Sequence, residues 1–358
     1  MSNEATFSES ELLSVNGLRP SISGPSELSR FTQQCVNYYH RWLESSEMRL
    51  KSGSFPPNQA ALFIYAEAPD IAPGIPLIDK CQLKRTHSKT LSVESGIVVC
   101  NETLRSCFRV PTELAEADDI MDYVLDNLRA DQTFVIMLMA KQKLLVHHAG
   151  FPIDEWYDEP AFVNVSNTDN AISLESVDEQ LNVYHDEHTR TPLGCTARLM
   201  WKKNEGKLSL HHLPELHVQT TLLTHLKAWY KRADIFVHEE AVNSGGRVDI
   251  QLNYVSDGKG VKSTLELKIL KPNESDQENL KWGLKGIQQA KDYMNHETEF
   301  SMACLFDART DKSDPLSSLE PSAGQAGVQL RRYLMKPPVV KKIKSKKTSK
   351  AASNKGDG

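Results

Sequence analysis

Three residues in the second half of the chain have side chains that together could act on a phosphodiester. Asp249 lies at the start of one β-like segment, and Glu266 and Lys268 lie in the next, "STLELKIL" (263–270). Because residues i and i+2 of a strand point to the same face, Glu266 and Lys268 project together, while apolar residues fill the other face. Two interpretations are open for this pair: an ion pair on an exposed strand, or a catalytic carboxylate and lysine.

The spacing of the two carboxylates favours the catalytic interpretation. Asp249 and Glu266 are 17 residues apart, and "SDGKG" (256–260) between them predicts a turn that makes their strands adjacent. Neighbouring carboxylates can hold Mg²⁺, which prefers hard oxygen ligands and keeps several waters. Such an ion can polarise a phosphodiester and lower the pKa of bound water, and a nearby lysine can stabilise charge that grows on the phosphate.

The segments around these residues predict the element order α-β-β-β-α-β. Residues 213–232 have apolar side chains at helical spacing, with Pro214 in a first-turn position. Three β-like segments follow, then a helical segment and a last apolar strand. These segments are "ADIFVHEE", "SGGRVDIQLNYV", "VKSTLELKIL", "ENLKWGLKGIQQAKDYMNH" and "FSMACLF". The pattern predicts a small mixed sheet with helices on either side.

This region resembles the PD-(D/E)xK nuclease superfamily, because four motifs occur in the order of that family. They are Glu215 on the first helix, Asp249 in "GGRVDI", Glu266-x-Lys268 in "LELKI", and Gln289 with Tyr293 in a Q-x-x-x-Y helix. Val248 stands where the first acidic motif often has proline. The resemblance covers about residues 210–310 and implies an α/β fold with a restriction-endonuclease-like α-β-β-β-α-β core.

The resemblance implies a metal-dependent nuclease and assigns roles within it. The metal would be Mg²⁺, with Mn²⁺ as an alternative. Its implied ligands are Asp249, Glu266, the carbonyl of Leu267 and, through water, Glu215. The implied catalytic residues are Asp249, Glu266, Lys268 as the catalytic cation, and Gln289 as a positioning group. The candidates for nucleic-acid contact are Tyr293 in the substrate groove, Arg247 and Arg309.

Several of these residues have a second interpretation. Glu215 lies at the start of a helix, where the dipole favours any carboxylate. Gln288 competes with Gln289 for the motif position. Tyr293 could equally be a core residue, and Arg247 could pair with a surface acid instead of a phosphate.

Composition and charge divide the chain into four regions. It has 358 residues and a net charge of −5, and the last 23 residues alone carry eight lysines and one aspartate. The boundaries we predict are a disordered leader (1–25), an acidic mixed α/β or α+β domain (26–205), the nuclease-like domain (206–310) and an extension with a disordered Lys-rich tail (311–358). The tail is either a phosphate-binding arm or simply solvated.

Cysteine usage and hydropathy indicate a cytoplasmic protein. The six cysteines form no CxxC pair and no zinc-finger spacing, so we expect reduced thiols, most of them buried. The longest apolar run, "FVIMLMA" (134–140), is far shorter than the roughly 20 residues of a membrane helix.

The expected function is hydrolysis of phosphodiester bonds, in DNA first, with RNA left open. Because the superfamily contains many phage-defence effectors, the resemblance also suggests that the protein acts in prokaryotic anti-phage defence. Two alternatives remain: a non-cleaving nucleic-acid-binding or assembly subunit that retains the fold, and a repair or recombination resolvase. The acidic N-terminal domain would regulate the enzyme, recognise a trigger, or mediate assembly with a protein partner or as a homo-oligomer.

Overall fold

The computed structural model describes residues 27–69, 93–166, 170–204, 207–211, 213–230, 235–243, 246–256, 258–310 and 316–338. Within these residues the chain forms eight α-helices and three β-sheets. The first elements are α1 (Glu27–Lys51), β1 (Ala60–Tyr65), β2 (Gly96–Cys100), β3 (Cys107–Arg109), α2 (Ala117–Asn127), β4 (Phe134–Leu138), β5 (Lys143–His147), α3 (Ile153–Asp158) and β6 (Phe162–Asn164).

The second half of the chain begins with helices and continues into the longest strands. Its elements are α4 (Leu174–Tyr184), a π-helical turn (His185–Thr189), α5 (Cys195–Met200), β7 (Trp201–Asn204), β8 (Lys207–Leu210), α6 (Pro214–Trp229), β9 (Phe236–Asn243), β10 (Gly246–Ser256), β11 (Lys259–Leu270), α7 (Asp276–Asp292), β12 (Thr298–Asp307), α8 (Leu319–Ala326) and β13 (Gln329–Leu334). Strands β7 and β8 pair as a separate hairpin.

The N-terminal sheet has six strands in the order β3-β2-β1-β4-β5-β6, with helices on both faces. Along β1, Ala61 and Phe63 join the apolar cluster that includes α1, whereas Leu62 and Ile64 join the cluster that includes α2 and α3. Burial on both faces explains why "FVIML" of β4 is apolar without alternation. β1 and β2 are parallel, and the other neighbours are antiparallel.

The C-terminal sheet has five strands in the order β13-β12-β11-β10-β9. β9, β10 and β11 form an antiparallel meander, and β12 and β13 add to it in parallel. Along β11, Leu265, Leu267 and Ile269 pack in the cluster that contains α6. Leu270 packs on the opposite side with α7 and α8. The mixed α/β class that the sequence predicts is confirmed.

The packing divides the chain at a different point from the predicted boundary at residue 205. Helices α4 and α5 belong to the core of the C-terminal sheet, because Val177, Leu181 and Met200 are buried against Leu222 and its neighbours on α6. Strand β13 pairs with β12, so the predicted extension from residue 311 contains part of the same sheet. The predicted leader and nearly all of the Lys-rich tail lie outside the described residues.

Helix α6 also connects the two halves of the structure. Lys227 Nζ donates to Gln33 Oε1 of α1 at 2.6 Å, and His40 Nε2 lies 3.1 Å from the carbonyl oxygen of Ala228. The same carbonyl accepts from the backbone N–H of Ser166 at 2.9 Å. One helix therefore packs on the C-terminal sheet and contacts the N-terminal unit at its other end.

The cysteines and the helices are the features on which the predicted cellular setting is based. All five described cysteines carry free thiols, and four of them are buried. None of the described helices combines the length and the apolar character that crossing a membrane requires.

Phe134 provides a test of the N-terminal core. Its ring is fully buried, stacks on His147 at a centroid distance of 4.6 Å and meets the edge of Trp156 at 5.0 Å. We expect Phe134→Ala to lower the free energy of unfolding by about 3–5 kcal/mol because it removes a buried aromatic ring and leaves a cavity. Leu125→Ala on α2, where Leu125 is 44% exposed, should change it by less than about 0.5 kcal/mol. Urea titration measures both values, and equal losses would contradict the assignment of this core.

Candidate active site

The Glu266–Lys268 pair is buried beneath α7, so the interpretation as an exposed ion pair is wrong. The two residues are 2% and 5% exposed. Lys268 Nζ lies 2.5 Å from Glu266 Oε1 and donates a second hydrogen bond to the carbonyl oxygen of Leu267 at 3.1 Å. Strand alternation places both charges on one face of β11, as the sequence predicts, and in the structure α7 covers that face. The ammonium therefore lies between the carboxylate and the strand backbone.

Asp249 joins this pair where the ladder between β10 and β11 ends. The paired positions of the two strands reach Ile250 and Leu265. Beyond them, Asp249 Oδ2 accepts the backbone N–H of Leu267 at 2.7 Å. Gln219 of α6 holds the backbone of Asp249 by donating to its carbonyl oxygen at 3.0 Å. The Asp249 carboxylate thus accepts a backbone hydrogen bond that a paired strand would otherwise accept. This contact brings Asp249 next to Glu266.

Glu215 makes the same kind of contact with the backbone of β11, two residues further along the strand. Its Oε1 accepts the backbone N–H of Ile269 at 3.2 Å and the indole N–H of Trp282 at 3.0 Å. The residue lies in the first turn of α6, so it bridges that helix, the strand and α7. Glu215 therefore helps to fix the positions of these three elements next to the Lys268 ammonium.

The charges at the site shift the pKa values of both members of the pair. Burial raises the pKa of Glu266 to about 7, and the negative charge of Asp249 adds to that effect, while Lys268 opposes it. Burial lowers the pKa of Lys268, but the negative charges of Glu266, Asp249 and Glu215 outweigh it and raise that pKa. Lys268 is therefore a cation at neutral pH, and the three carboxylates outnumber it.

Two residues of α7 that sequence reasoning did not single out shape the position of Lys268. A Cβ at Gly286 would lie 2.8 Å from Lys268 Cγ, so only glycine leaves room for the lysine side chain. The Lys268 ammonium lies 5.3 Å from the centroid of the Trp282 ring, within range of a cation–π contact. The signal in the sequence was their spacing of four residues on one helix face, which places both over the E-x-K strand.

The Q-x-x-x-Y residues lie at the site, but Tyr293 is not a surface contact. Tyr293 is buried, and burial together with the negative charges of nearby Glu266 and Asp249 raises the pKa of its hydroxyl. Gln289 Nε2 lies 3.5 Å from that hydroxyl. Gln288 is exposed and donates instead to Asp292, so Gln289 is the residue of the pair that faces the site. Tyr293 therefore lies in the core beside Glu266, and the predicted nucleic-acid contact does not fit its burial.

The two predicted arginine contacts have different outcomes. Arg309 is 3% exposed and its guanidinium pairs with Asp307 and Asp276, so it braces the end of β12 and is not free to bind a phosphate. The backbone of Arg247 pairs with Val242 in the sheet, while its side chain lies outside the described part of the structure.

The donor set at the site fits a hard divalent cation. Glu266 Oε2 is buried and has no hydrogen-bond partner among the described residues, although a buried carboxylate oxygen normally has one. Asp249 and the carbonyl oxygen of Leu267 lie on the same stretch of β11 as Glu266, because Asp249 binds the backbone N–H of Leu267 and Lys268 binds both Glu266 and that carbonyl. Such oxygens are the ligands that Mg²⁺ prefers. The residues present therefore fit the metal that the sequence resemblance implies.

Comparison with known proteins gave no match of any of three kinds: no family model, no curated protein sequence and no solved structure was significantly similar to the chain.

The raised pKa of Glu266 predicts a pH-dependent stability. The folded state holds the proton of Glu266 more tightly than the unfolded state, whose glutamate has its ordinary pKa of 4.5. This contribution is complete below about pH 4.5 and is lost as the pH rises through 7. We expect metal-free wild type to lose up to about 3 kcal/mol relative to Glu266→Gln between pH 4.5 and 8.5. Urea titrations in EDTA across this range measure the difference, and parallel profiles would contradict it.

Gly286 allows a second test of the packing around Lys268. An alanine in a helix normally stabilises it relative to glycine by about 0.5–1 kcal/mol, and Gly324→Ala on α8 should do so because nothing lies within 4 Å of its added Cβ. Gly286→Ala should instead destabilise the fold by about 1–3 kcal/mol, since the methyl group collides with Lys268. Thermal unfolding of both variants gives the comparison, and stabilisation by both would show that Lys268 takes another path.

Proposed function

We propose that the protein is a metal-dependent nuclease that hydrolyses phosphodiester bonds, with DNA as the first substrate to test and RNA as the second. The observation that carries the proposal is the convergence of Asp249, Glu266 and Lys268 at the end of the β10–β11 ladder, where Glu266 Oε2 is buried without a partner in the described chain. The site has three carboxylates and one ammonium. This excess of acidic groups is better explained by the binding of a metal cation together with a phosphate than by a structural ion pair.

The element order supports the same proposal. Helix α6, the meander β9-β10-β11, helix α7 and the parallel strand β12 follow one another, which is the order of a restriction-endonuclease-like core. We propose the PD-(D/E)xK type on this order and on the four motifs. Helix α8 and strand β13 are additional to this order, and so are α4 and α5 on the other face of the sheet.

The metal would be Mg²⁺, with Mn²⁺ as an alternative, held by Asp249, Glu266 and the Leu267 carbonyl, with Glu215 close by. When bound, it supplies Lewis-acid polarisation of the phosphate and lowers the pKa of water. The chain itself orients these ligands: the backbone N–H of Leu267 fixes Asp249, and Ile269 N–H and Trp282 fix Glu215.

Lys268 would stabilise the reacting phosphate electrostatically. Its raised pKa keeps it protonated at neutral pH, so it cannot serve as a proton acceptor. In the proposed reaction a water oxygen bonds to phosphorus while the P–O bond in line with it breaks, and negative charge grows on the phosphate oxygens. The attacking water gives up a proton to solvent, and the departing oxygen takes one from solvent. A fixed ammonium in a site that excludes bulk water stabilises such charge strongly. Hydrogen bonds to Glu266 and to the Leu267 carbonyl hold the ammonium in place before substrate arrives.

Lysines around Trp282 would guide the nucleic-acid backbone to this site. Lys285 is exposed and lies 4.8 Å from the Trp282 ring centroid, and Lys271 lies 5.9 Å from it. The Lys268 ammonium lies near the same ring, at 5.3 Å from its centroid. Phosphate contacts of this kind position a substrate without reading its sequence. They would provide the phosphate contacts predicted for Arg309, which is buried.

Cleavage assays test the proposal directly. We expect the wild-type chain to cut DNA only with Mg²⁺ or Mn²⁺ and Glu266→Gln to be slower by at least about 100-fold, because one catalytic polar group commonly contributes that factor. Glu320→Gln on α8 is the matched control, since Glu320 is exposed and far from the site in sequence, and it should cut within a factor of two of wild type. Thermal unfolding establishes that each variant is folded.

The substrate panel separates the proposal from its alternatives. It should contain supercoiled and linear plasmid, single-stranded DNA, a four-way junction and single-stranded RNA. Strong preference for the junction would identify a resolvase. Binding without cutting on every substrate and both metals would favour the non-cleaving subunit, and equal cutting by Glu266→Gln would assign the activity to a contaminant.

A further inference from the structure

A second cluster of ligand-type side chains lies in the core, where the π-helical turn after α4 meets the second half of α6. Glu187, His188 and His225 each present one ligand atom, and the three atoms lie within 4.8 Å of one another. His188 Nε2 and Glu187 Oε2 are 3.8 Å apart. The π turn is a rare conformation that is frequent at functional sites, and here it places Glu187 and His188 together beside α6.

His225 carries the observation that points to a ligand. It is 5% exposed, and its Nε2 lies 3.2 Å from Gln180 Oε1, an oxygen that can only accept. Nε2 therefore bears the hydrogen, and Nδ1 keeps a lone pair that can bind a ligand. That Nδ1 is buried and has no hydrogen-bond partner among the residues described. An unsatisfied buried nitrogen is costly unless something else binds it.

His188 has the complementary arrangement. It is 4% exposed, and its Nδ1 lies 3.1 Å from Cys195 Sγ, which leaves Nε2 for the side that faces Glu187. Both rings are buried, and burial disfavours the protonated imidazole, so each ring can offer the lone pair with which histidine binds a metal.

We propose that Glu187, His188 and His225 bind a divalent transition-metal ion, with Zn²⁺ as the first candidate. Two imidazoles and a carboxylate form a ligand set that zinc accepts, and a three-residue set leaves one position for water. Bonds of about 2.0–2.1 Å in a tetrahedral site separate ligand atoms by roughly 3.3 Å. The side chains would have to close by at most about 1.5 Å from the separation observed.

The neighbours of the cluster support this assignment. Gln180 and Cys195 contact the ring nitrogens that do not face the cluster, as outer partners do when they fix the orientation of metal-bound histidines. Cys195 also lines a pocket of about 260 Å³ that includes open solvent, next to His148 and Arg198. The cluster is chemically distinct from the oxygen-rich site around Glu266, so the two should prefer different ions.

Metal binding by the full-length, untagged protein tests the inference. After removal of metal with EDTA, we expect one equivalent of Zn²⁺ to bind in competition with a chromophoric chelator and to raise the unfolding temperature. Co²⁺ should give the visible absorption bands of a four-coordinate site. His225→Gln and His188→Gln should each weaken Zn²⁺ binding at least 10-fold, while Glu266→Gln should leave it unchanged, which separates this site from the proposed nuclease metal.

Two further variants make the outcome decisive. His296→Gln is the matched control, because His296 is 88% exposed, and it should bind Zn²⁺ as the wild type does. Should the histidine variants unfold, Glu187→Gln at a half-buried position should keep the fold and still lose affinity at least 10-fold. Absence of stoichiometric Zn²⁺ binding by wild type, or equal affinity in all folded variants, would overturn the inference.

Discussion

The burial of the Glu266–Lys268 ion pair is the interaction on which the rest of the site depends. A charge removed from water costs several kcal/mol unless a partner and hydrogen bonds compensate for it. Lys268 does so for one carboxylate oxygen, whereas the other, Oε2, is buried without a partner in the part of the chain that the structure describes. With Asp249 and Glu215 also present, negative charge exceeds positive charge. A purely structural ion pair would not require that excess, and a cation-binding site would.

The excess charge is tolerated because the carboxylates also replace missing strand pairing. Strand β10 stops pairing with β11 at Leu265, which leaves the backbone N–H groups of Leu267 and Ile269 to find other acceptors inside the protein. Asp249 accepts the first and Glu215 the second. The acids are thus held by the backbone of the strand that carries the E-x-K residues, and their positions follow from where a sheet ladder ends.

Sequence alternation was sufficient to predict that Glu266 and Lys268 share one face of β11, opposite the apolar residues, because a two-residue period is a local property of a strand. It could not predict that this face is buried, since burial depends on where α7 packs. The same limit explains Arg309, whose partners Asp276 and Asp307 come from other elements, and the boundary at residue 205, which α4 and α5 cross by packing on α6. That His225 Nδ1 has no partner among the described residues could be recognised only from the structure, because it depends on how α4, the π-helical turn and α6 pack together.

Helix α6 sets the positions of both polar clusters. It is buried on most of its surface, so its buried polar side chains need partners in neighbouring elements. Glu215 and Gln219 find them on β11 and β10, and His225 finds one on α4. A rotation of the helix by one residue, about 100°, would remove all three contacts at once. The polar residues therefore specify one orientation of α6, and that orientation places a carboxylate next to Lys268 regardless of any preference of acids for helix starts.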